Sequence, residues 1–410
     1  PIPDRNTGLW DKVEVEVTGP VVLRDPHVVA TPLDSGTGAH VPGGACPRAS
    51  LHVSVTVANA TGRAREVFLT LTVTSPSGEP AFPAVTDTVL LLPGQEVHHS
   101  FSNPEILQAE LWWPLGVGGE QPLYGLTLTA TGQAGRHCVM KAPGAASLSL
   151  WHSLSLQFGV RKVWSQEEAE LGGGRVFYVN GQRIFIRGGN WIVPDGMLRD
   201  LPERFRREVE FHAHMGLNCI RLWGGAGIAT PDLLKACDAA GLLVWYEFWI
   251  TGDCNGRGAT PGSPVSDPNW PLDHNLFLAN AADCIRWVRN HPCVVLWCGG
   301  NEQHPASDLD AGLRSMLDPN KQQSGCELHR LKAKDTTALV WGGCDGDTQP
   351  SLPLLDWTRP YVKGSMWAGL GKGSGEFSDG PYGCQTPSDF FRPDFYKYAF
   401  NPEVGSVGVP

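Results

Sequence analysis

No stretch of 18 or more apolar residues occurs in this chain, so nothing in it reads as a membrane-spanning helix. Nor is there a polybasic run: 42 Asp and Glu against 32 Lys and Arg leave a net charge of −10. Nucleic acid and anionic membranes are recognised through clustered positive charge, and neither is expected as a partner. Cysteine is sparse, 11 in 410 residues, and the number is odd, which argues against a disulfide scaffold. No C-x-x-C pair and no His-Cys cluster has metal-ligand spacing. Cys219, Cys284, Cys293 and Cys298 sit inside apolar runs and read as free buried thiols. No nucleotide or flavin motif is present either, so no cofactor is expected. Tyrosine is scarce, 7 against 15 tryptophans. Tryptophan faces stack on sugar rings, but they also fill cores, and the count alone leaves both readings open.

What is present divides into two grammars. A chain of 410 residues can bury a large core and form two or three domains. Up to about residue 160, Val, Thr and Leu alternate with polar residues between turn clusters such as Ser75-Pro76-Ser77-Gly78. Val13 to Val17, Leu51 to Val57 and Leu123 to Leu128 each read as strands of a β-sandwich, the first of them belonging with a preceding domain. From about residue 161 strands and helices alternate. Arg183 to Arg187 reads as a strand opening onto Gly188-Gly189-Asn190-Trp191. A helix is expected from Pro202 to Met215, stopped by Gly216, and another from Pro231, capped by Thr230 and ended by Gly241. Strands are expected at Cys219 to Trp223, Leu242 to Phe248, from Val294, and at Tyr361 to Trp367, with a helix from Asp273 to Arg289. Repeated βα units with polar residues at the strand ends predict a (β/α)8 barrel. Residues 318 to 356 give no readable pattern. The chain stops at Pro410, soon after Glu403, so the barrel is expected to be incomplete and the chain to be one piece of a longer enzyme, bound to its missing segments.

The chemistry is expected at strand ends. Val294-Val295-Leu296-Trp297-Cys298 runs into Gly299-Gly300 and then Asn301-Glu302, as a buried strand does when it delivers a carboxylate to a cavity mouth. Tyr398-Ala399-Phe400-Asn401-Pro402-Glu403 reads the same way. Paired carboxylates of this kind suit glycoside hydrolysis, with Glu302 as acid/base and Glu403 as nucleophile of a retaining mechanism. The plainer alternatives are a helix cap for Asn301-Glu302 and a salt bridge for Glu403. Asn301 is placed to meet a sugar 2-hydroxyl. Arg221, at a strand end, would hold Glu403 ionised if it lay near it, and would otherwise be a structural ion-pair partner. Asn190, Trp191 and Asp195 follow a strand and suit sugar hydroxyls, or else form a packed loop. Trp223, Trp249 and Trp367 lie near strand ends, where core packing competes with sugar stacking. The loop Thr251 to Gly258 is a candidate for shaping a leaving-group subsite. Glu247 is a third strand-end acid, read as a supporting residue.

At these motifs the chain resembles glycoside hydrolase family 2, in its β-mannosidase and exo-β-glucosaminidase branch. The resemblance rests on Gly188 to Asp195, on Arg221-Leu222-Trp223-Gly224-Gly225 and on Asn301-Glu302. Longer strings, Trp297 to Gln303, Gly364-Ser365-Met366-Trp367, Asp379-Gly380-Pro381-Tyr382 and Phe400 to Gly408, are similar to endo-acting β-mannosidases of that branch. The resemblance implies retaining hydrolysis of the Manβ1-4GlcNAc linkage of N-glycan cores, on free glycan or glycopeptide. Exo-β-mannosidase or exo-β-glucosaminidase activity is the alternative on the same scaffold, and a non-catalytic carbohydrate-binding fragment is the alternative of another class. The resemblance also implies a domain order: residues 1–19 as the remnant of an N-terminal jelly-roll sugar-binding domain, 20–160 as an immunoglobulin-like β-sandwich, and 161–410 as a catalytic (β/α)8 barrel lacking its C-terminal end. Ala226-Gly227 departs from the family pattern, which has another glycine and an aromatic residue there.

Overall fold

The structure is a computed structural model, and it describes residues 13–33, 39–44, 46–102, 104–133, 148–168, 174–192, 202–226, 230–251, 273–301, 305–318 and 352–365, with residues 170, 271, 386, 388 and 392 besides. The chain divides into two compact units. One comprises Pro1–Trp112, Gly119–Arg161 and Arg289–Pro292; the other comprises Trp113–Gly118, Lys162–Val288 and Cys293–Pro410.

The first unit is all β. Its strands are β1 (Val21–Pro32), β2 (Cys46–Asn59), β3 (Arg65–Thr74), β4 (Val85–Leu91), β5 (Glu96–Ser100), β6 (Glu105–Ala109), β7 (Tyr124–Gln133) and β8 (Leu148–Phe158). They form two antiparallel sheets, one ordered β1-β2-β5 with β6 also on β2, the other β4-β3-β7-β8. The period of two in the sequence becomes two faces. Leu51, Val53, Val55 and Val57 of β2 are fully buried, as are Val67 and Leu71 of β3. Burying each such side chain contributes roughly 1.5–3 kcal/mol. The threonines between them face outward and join neighbouring strands, as in the 3.1 Å contact of the Thr70 and Thr86 hydroxyls.

Strand β1 is broken by a bulge between Arg24 and His27, where Asp25 adopts φ 50°. The segment Arg289–Pro292 supplies what the broken ladder lacks. Asn290 accepts from the Val28 N–H and donates to the Pro26 carbonyl, both at 2.9 Å, and Arg289 donates to the Asp25 carbonyl at 2.9 Å. Arg161 Nε donates to the Pro292 carbonyl at 2.7 Å. Residues Val13 to Val17 are not a strand. Their valines are 71, 90 and 92 % exposed at 13, 15 and 17. Alternation makes a strand only where an edge is available to pair with, and among the described residues this segment has none.

The second unit opens with an antiparallel hairpin sheet of β9 (Val163–Glu168), β10 (Gly174–Val179) and β11 (Gln182–Ile184). Val179 pairs with Gln182 across Asn180-Gly181, which take φ 51° and 82°. Both central residues are left-handed, the requirement of a type I′ hairpin turn, and Asn-Gly is its usual sequence. This corrects the strand expected at Arg183 to Arg187. Its first residues belong to the hairpin, and the parallel strand starts later, at β12 (Gly188–Trp191).

Four further strands join β12: β13 (Cys219–Leu222), β14 (Leu243–Glu247), β15 (Val294–Cys298) and β16 (Tyr361–Val362). All pairs are parallel, in chain order. Helices make the crossovers: α1 (Pro202–His214), α2 (Pro231–Ala240) and α3 (His274–Val288), while α4 (Ser307–Leu317) follows β15. Asp273 caps α3 by accepting from the Leu276 N–H at 2.9 Å. Gly241 ends α2 as expected, whereas the Thr230 hydroxyl makes no capping hydrogen bond. Only the Thr230 backbone carbonyl takes part, accepting from Leu234 at 3.2 Å. Of the strand expected from Tyr361 to Trp367, two residues, Tyr361 and Val362, pair with β15 among the described residues. Among the described residues no helix is long and apolar enough to cross a membrane.

All six described cysteines, at positions 46, 219, 237, 284, 293 and 298, are buried and outside any disulfide. Burial pushes the Cys219 thiol up to about 12 and the Cys284 thiol to about 11, and drives Cys237, Cys293 and Cys298 well above the ordinary thiol value. At mildly alkaline pH a thiol-disulfide reagent should therefore label none of these six in the native protein and all of them in denaturant, as read by peptide mass mapping.

Candidate functional site

The parallel sheet sorts its side chains by register. Asn190, Arg221 and Trp245 are neighbours on adjacent strands, and Trp191, Leu222, Tyr246 and Trp297 form the next row. Successive rows point to opposite faces. The second row meets the helices: Trp191 lies 6.3 Å from Phe205 and 5.6 Å from His212 of α1, ring centre to ring centre. Tyr246 contacts Cys284 of α3 at 2.7 Å. Trp191, a sugar-contacting candidate, is 8 % exposed and packs against α1.

The first row carries the polar cluster. Arg221 and Glu247 are a buried ion pair, with side chains 3 and 0 % exposed. Arg221 Nε donates to Glu247 Oε2 at 3.0 Å, and Nη2 lies 2.9 Å from the same oxygen. Glu247 Oε1 accepts from the Gly224 N–H at 2.9 Å. The guanidinium carbon sits 4.9 Å from the centre of the Trp245 ring. Two charges taken out of water are tolerated only when geometry and further hydrogen bonds offset desolvation, and this pair has both. The charge of Arg221 is thereby balanced by Glu247. A neutral pair is a weaker lever on a nearby carboxylate than a lone cation, and matches the ion-pair alternative of the sequence reading.

Arg221 also reaches Asn190 Oδ1, at 3.3 Å from Nη1, and Asn301 Oδ1, from Nη2. A guanidinium only donates, so both asparagines must turn their oxygens towards it. Their NH2 groups are left as donors, and neither donates to another described residue. Arg221 is thus the hub that brings together Asn190, at the end of β12, and Asn301, just past β15.

The turn at Gly299 to Asn301 is tied on both sides. Asn301 donates its N–H to the Ile250 carbonyl at 2.7 Å, Gly299 to Val362 at 2.9 Å, and Ser365 donates to Gly300 at 2.9 Å. Glu302 is the next residue in the chain. Glu302, Glu403, Asp195 and Trp367 lie outside the described residues, as does the loop from Gly252 to Gly258. Of the other strand-end tryptophans, Trp249 packs on Phe277 of α3 at 5.7 Å and Trp223 is half-buried. Trp245 and the Gly224 amide were not anticipated as site members. Trp245 reads from sequence as one more apolar strand residue, and only the register places it against Arg221. Among the described residues no group of three or more His, Cys, Asp or Glu could hold a metal ion.

Residues 173–322 match the family described as "Glycosyl hydrolases family 2, TIM barrel domain". A mannosylglycoprotein endo-beta-mannosidase of Lilium longiflorum is 41 % identical over 415 residues, covering 100 % of this chain and 39 % of the relative. An exo-beta-D-glucosaminidase of Streptomyces avermitilis is 30 % identical over 324 residues, covering 76 % of this chain and 31 % of the relative. Among solved structures, the exo-chitosanase of Amycolatopsis orientalis aligns with a TM-score of 0.67 at 21 % identity, covering 96 % of this chain and 38 % of that one. A beta-D-mannosidase of Dictyoglomus thermophilum aligns at 0.60 and 21 % identity, covering 93 and 40 %. The structural likenesses concern the fold. The chain spans no more than 39 % of the length of either curated relative.

Replacing Arg221 with Ala strands a buried carboxylate, and should lower the unfolding free energy by about 3–5 kcal/mol in denaturant titration. Removing both partners, as Arg221→Met with Glu247→Leu, should lower it by clearly less than the sum of the single changes. Additive losses would mean that the two side chains do not depend on each other.

Proposed function

The chain belongs to glycoside hydrolase family 2, and on that premise we propose that it carries the catalytic centre of a retaining β-mannosidase that cleaves the Manβ1-4GlcNAc linkage of N-glycan cores from within the glycan. The observation that carries this reading is the Arg221 hub, which holds Asn301, the residue before Glu302, at the ends of parallel strands where barrel enzymes build their sites. The 41 % identity to the lily endo-beta-mannosidase across the chain supports the substrate class.

In this mechanism Glu302 protonates the glycosidic oxygen while Glu403 attacks the anomeric carbon. The bond to the GlcNAc oxygen breaks, a mannosyl ester forms on Glu403, and the shortened glycan leaves. Glu302, now a carboxylate, takes a proton from water as the water displaces Glu403. The two carboxyl groups need to stand roughly 5 to 5.5 Å apart. The amide of Asn301 donates to the sugar 2-hydroxyl, and that of Asn190 to another ring hydroxyl, their orientations set by Arg221. Asp195 and Trp367 complete the sugar contacts. The substrate is an N-glycan or glycopeptide, and further segments of the same enzyme are its partners.

The architecture proposed around this centre is an accessory sandwich and a catalytic barrel. The strand orders β1-β2-β5 and β4-β3-β7-β8 support reading the first unit as an immunoglobulin-like sandwich, with strands A, B and E on one sheet and C′, C, F and G on the other. The five parallel strands are read as the first part of the (β/α)8 barrel. The exo-acting alternative draws support from the Streptomyces relative.

Glu403→Ala in the intact enzyme should abolish hydrolysis of a Manβ1-4GlcNAc-containing glycan, and azide should restore turnover as an α-mannosyl azide. Unchanged hydrolysis would remove Glu403 from the mechanism. A core glycan whose β-mannose carries further mannose residues separates the two specificities. Release of the whole mannosyl oligosaccharide supports endo action, and failure to cut until the outer residues are trimmed supports exo action.

A further inference from the structure

Beneath the turn that follows β15 lies a polar group that the proposed chemistry does not use. Tyr361, the first residue of β16, pairs with Trp297 of β15. Its hydroxyl donates to Asp310 Oδ1 at 2.9 Å, and Asp310 Oδ2 accepts from Arg314 Nε at 2.9 Å. Asp310 and Arg314 are one turn apart on α4, and the Arg314 guanidinium carbon lies 5.0 Å from the centre of the Tyr361 ring. Burial, reinforced by Asp310, pushes the phenol well above its ordinary pKa, so it stays a donor at any working pH. The group abuts the backbone of the turn: a Cβ on Gly299 would lie 2.6 Å from the Tyr361 hydroxyl and 2.3 Å from the Lys363 carbonyl. Only a glycine lets the chain pass this closely.

We infer that Tyr361 is a positioning residue, and that its Asp310-bound hydroxyl sets the path of the Gly299 to Asn301 turn, which immediately precedes Glu302 in the chain; this rests on the reading of Glu302 as acid/base. Phenylalanine would fill the same apolar volume, so packing alone does not call for the hydroxyl. The hydroxyl lies against the turn and donates to a charge-balanced pair on α4, the next helix in the chain. An acid that protonates a leaving oxygen must sit within hydrogen-bond reach of it, and a displacement of about 1 Å can lower the rate about a hundredfold.

The test exploits the leaving group. An alkoxide of GlcNAc departs only with a proton, whereas dinitrophenolate departs without one. In the intact enzyme, kcat/KM is compared for wild type and Tyr361→Phe on two substrates with the same mannosyl group, one bearing GlcNAc and one bearing dinitrophenol. The expected loss is about tenfold or more on the GlcNAc substrate and less than about threefold on the aryl substrate. The fraction of folded enzyme cancels from that ratio, so a merely structural role leaves it at one. An equal loss on both substrates, or no loss, overturns the inference. Should Tyr361→Phe fail to fold, Asp310→Asn, which weakens the hydroxyl's acceptor, is read by the same ratio. Glu302→Gln is measured alongside. Wild-type turnover of the GlcNAc substrate by that variant would remove Glu302 as acid/base and this inference with it, whereas an inactive Glu302→Gln beside an unchanged Tyr361→Phe overturns only the role of Tyr361.

Discussion

A guanidinium removed from water must find a counter-charge and acceptors for its donors, and the strand ends of the second unit are arranged around that demand. Arg221 takes its counter-charge from Glu247 on the next strand and its remaining acceptors from Asn190 and Asn301. These partners come together only in one register. A slip of one residue between β13 and β14 would turn Arg221 from the polar face to the helix face and leave Glu247 buried without its cation. The ion pair is therefore both a product of the sheet's register and a penalty on every other register. Glu247 passes the order on through the Gly224 amide to the turn after β13.

The electrostatic character of the site follows from the same pairing. Arg221 brings no net charge to a ligand, because Glu247 neutralises it. What it does bring is orientation, since it consumes two amide oxygens and frees two amide donors. Neutral polar donors suit ligands rich in hydroxyl oxygens, whereas a bare cation would favour carboxylates and phosphates. A second charge-balanced group, Asp310 with Arg314, accepts from Tyr361, whose hydroxyl lies against the same turn.

What the sequence disclosed about this arrangement depended on how local the signal was. The start of α1 at Pro202 and the end of α2 at Gly241 were legible because proline and glycine act on the backbone they occupy. The apolar runs of β14 and β15 were legible because strands covered on both faces have few polar interruptions. Features that need a partner were not. The alternating Val13 to Val17 segment has no edge to pair with among the described residues. The Asn180-Gly181 signal for a hairpin was present in the sequence but was overridden by the apolar run after it, which begins in β11 and ends before β12. Asn190 and Trp191 are adjacent in sequence and equally suited to sugars by type, yet the pleat sends one to Arg221 and the other to α1. Which of two neighbours belongs to a site is a question of strand phase, and phase is fixed by pairing.

The four residues Arg289–Pro292 have a kinetic consequence. The strands of the first unit are complete by Phe158, but the bulge in β1 receives its partners only when Asn290 has been made. At about 5–20 residues per second of synthesis, the 131 residues from Lys162 to Pro292 take roughly 7 to 26 s to make. During that interval the nascent sheet waits with the amide of Val28 and the carbonyls of Asp25 and Pro26 turned to water. The second unit waits in reverse, since Trp113–Gly118 is made before the rest of it. Two units interleaved in this way cannot be folded one after the other to completion on the ribosome, and no single cut in the chain separates them.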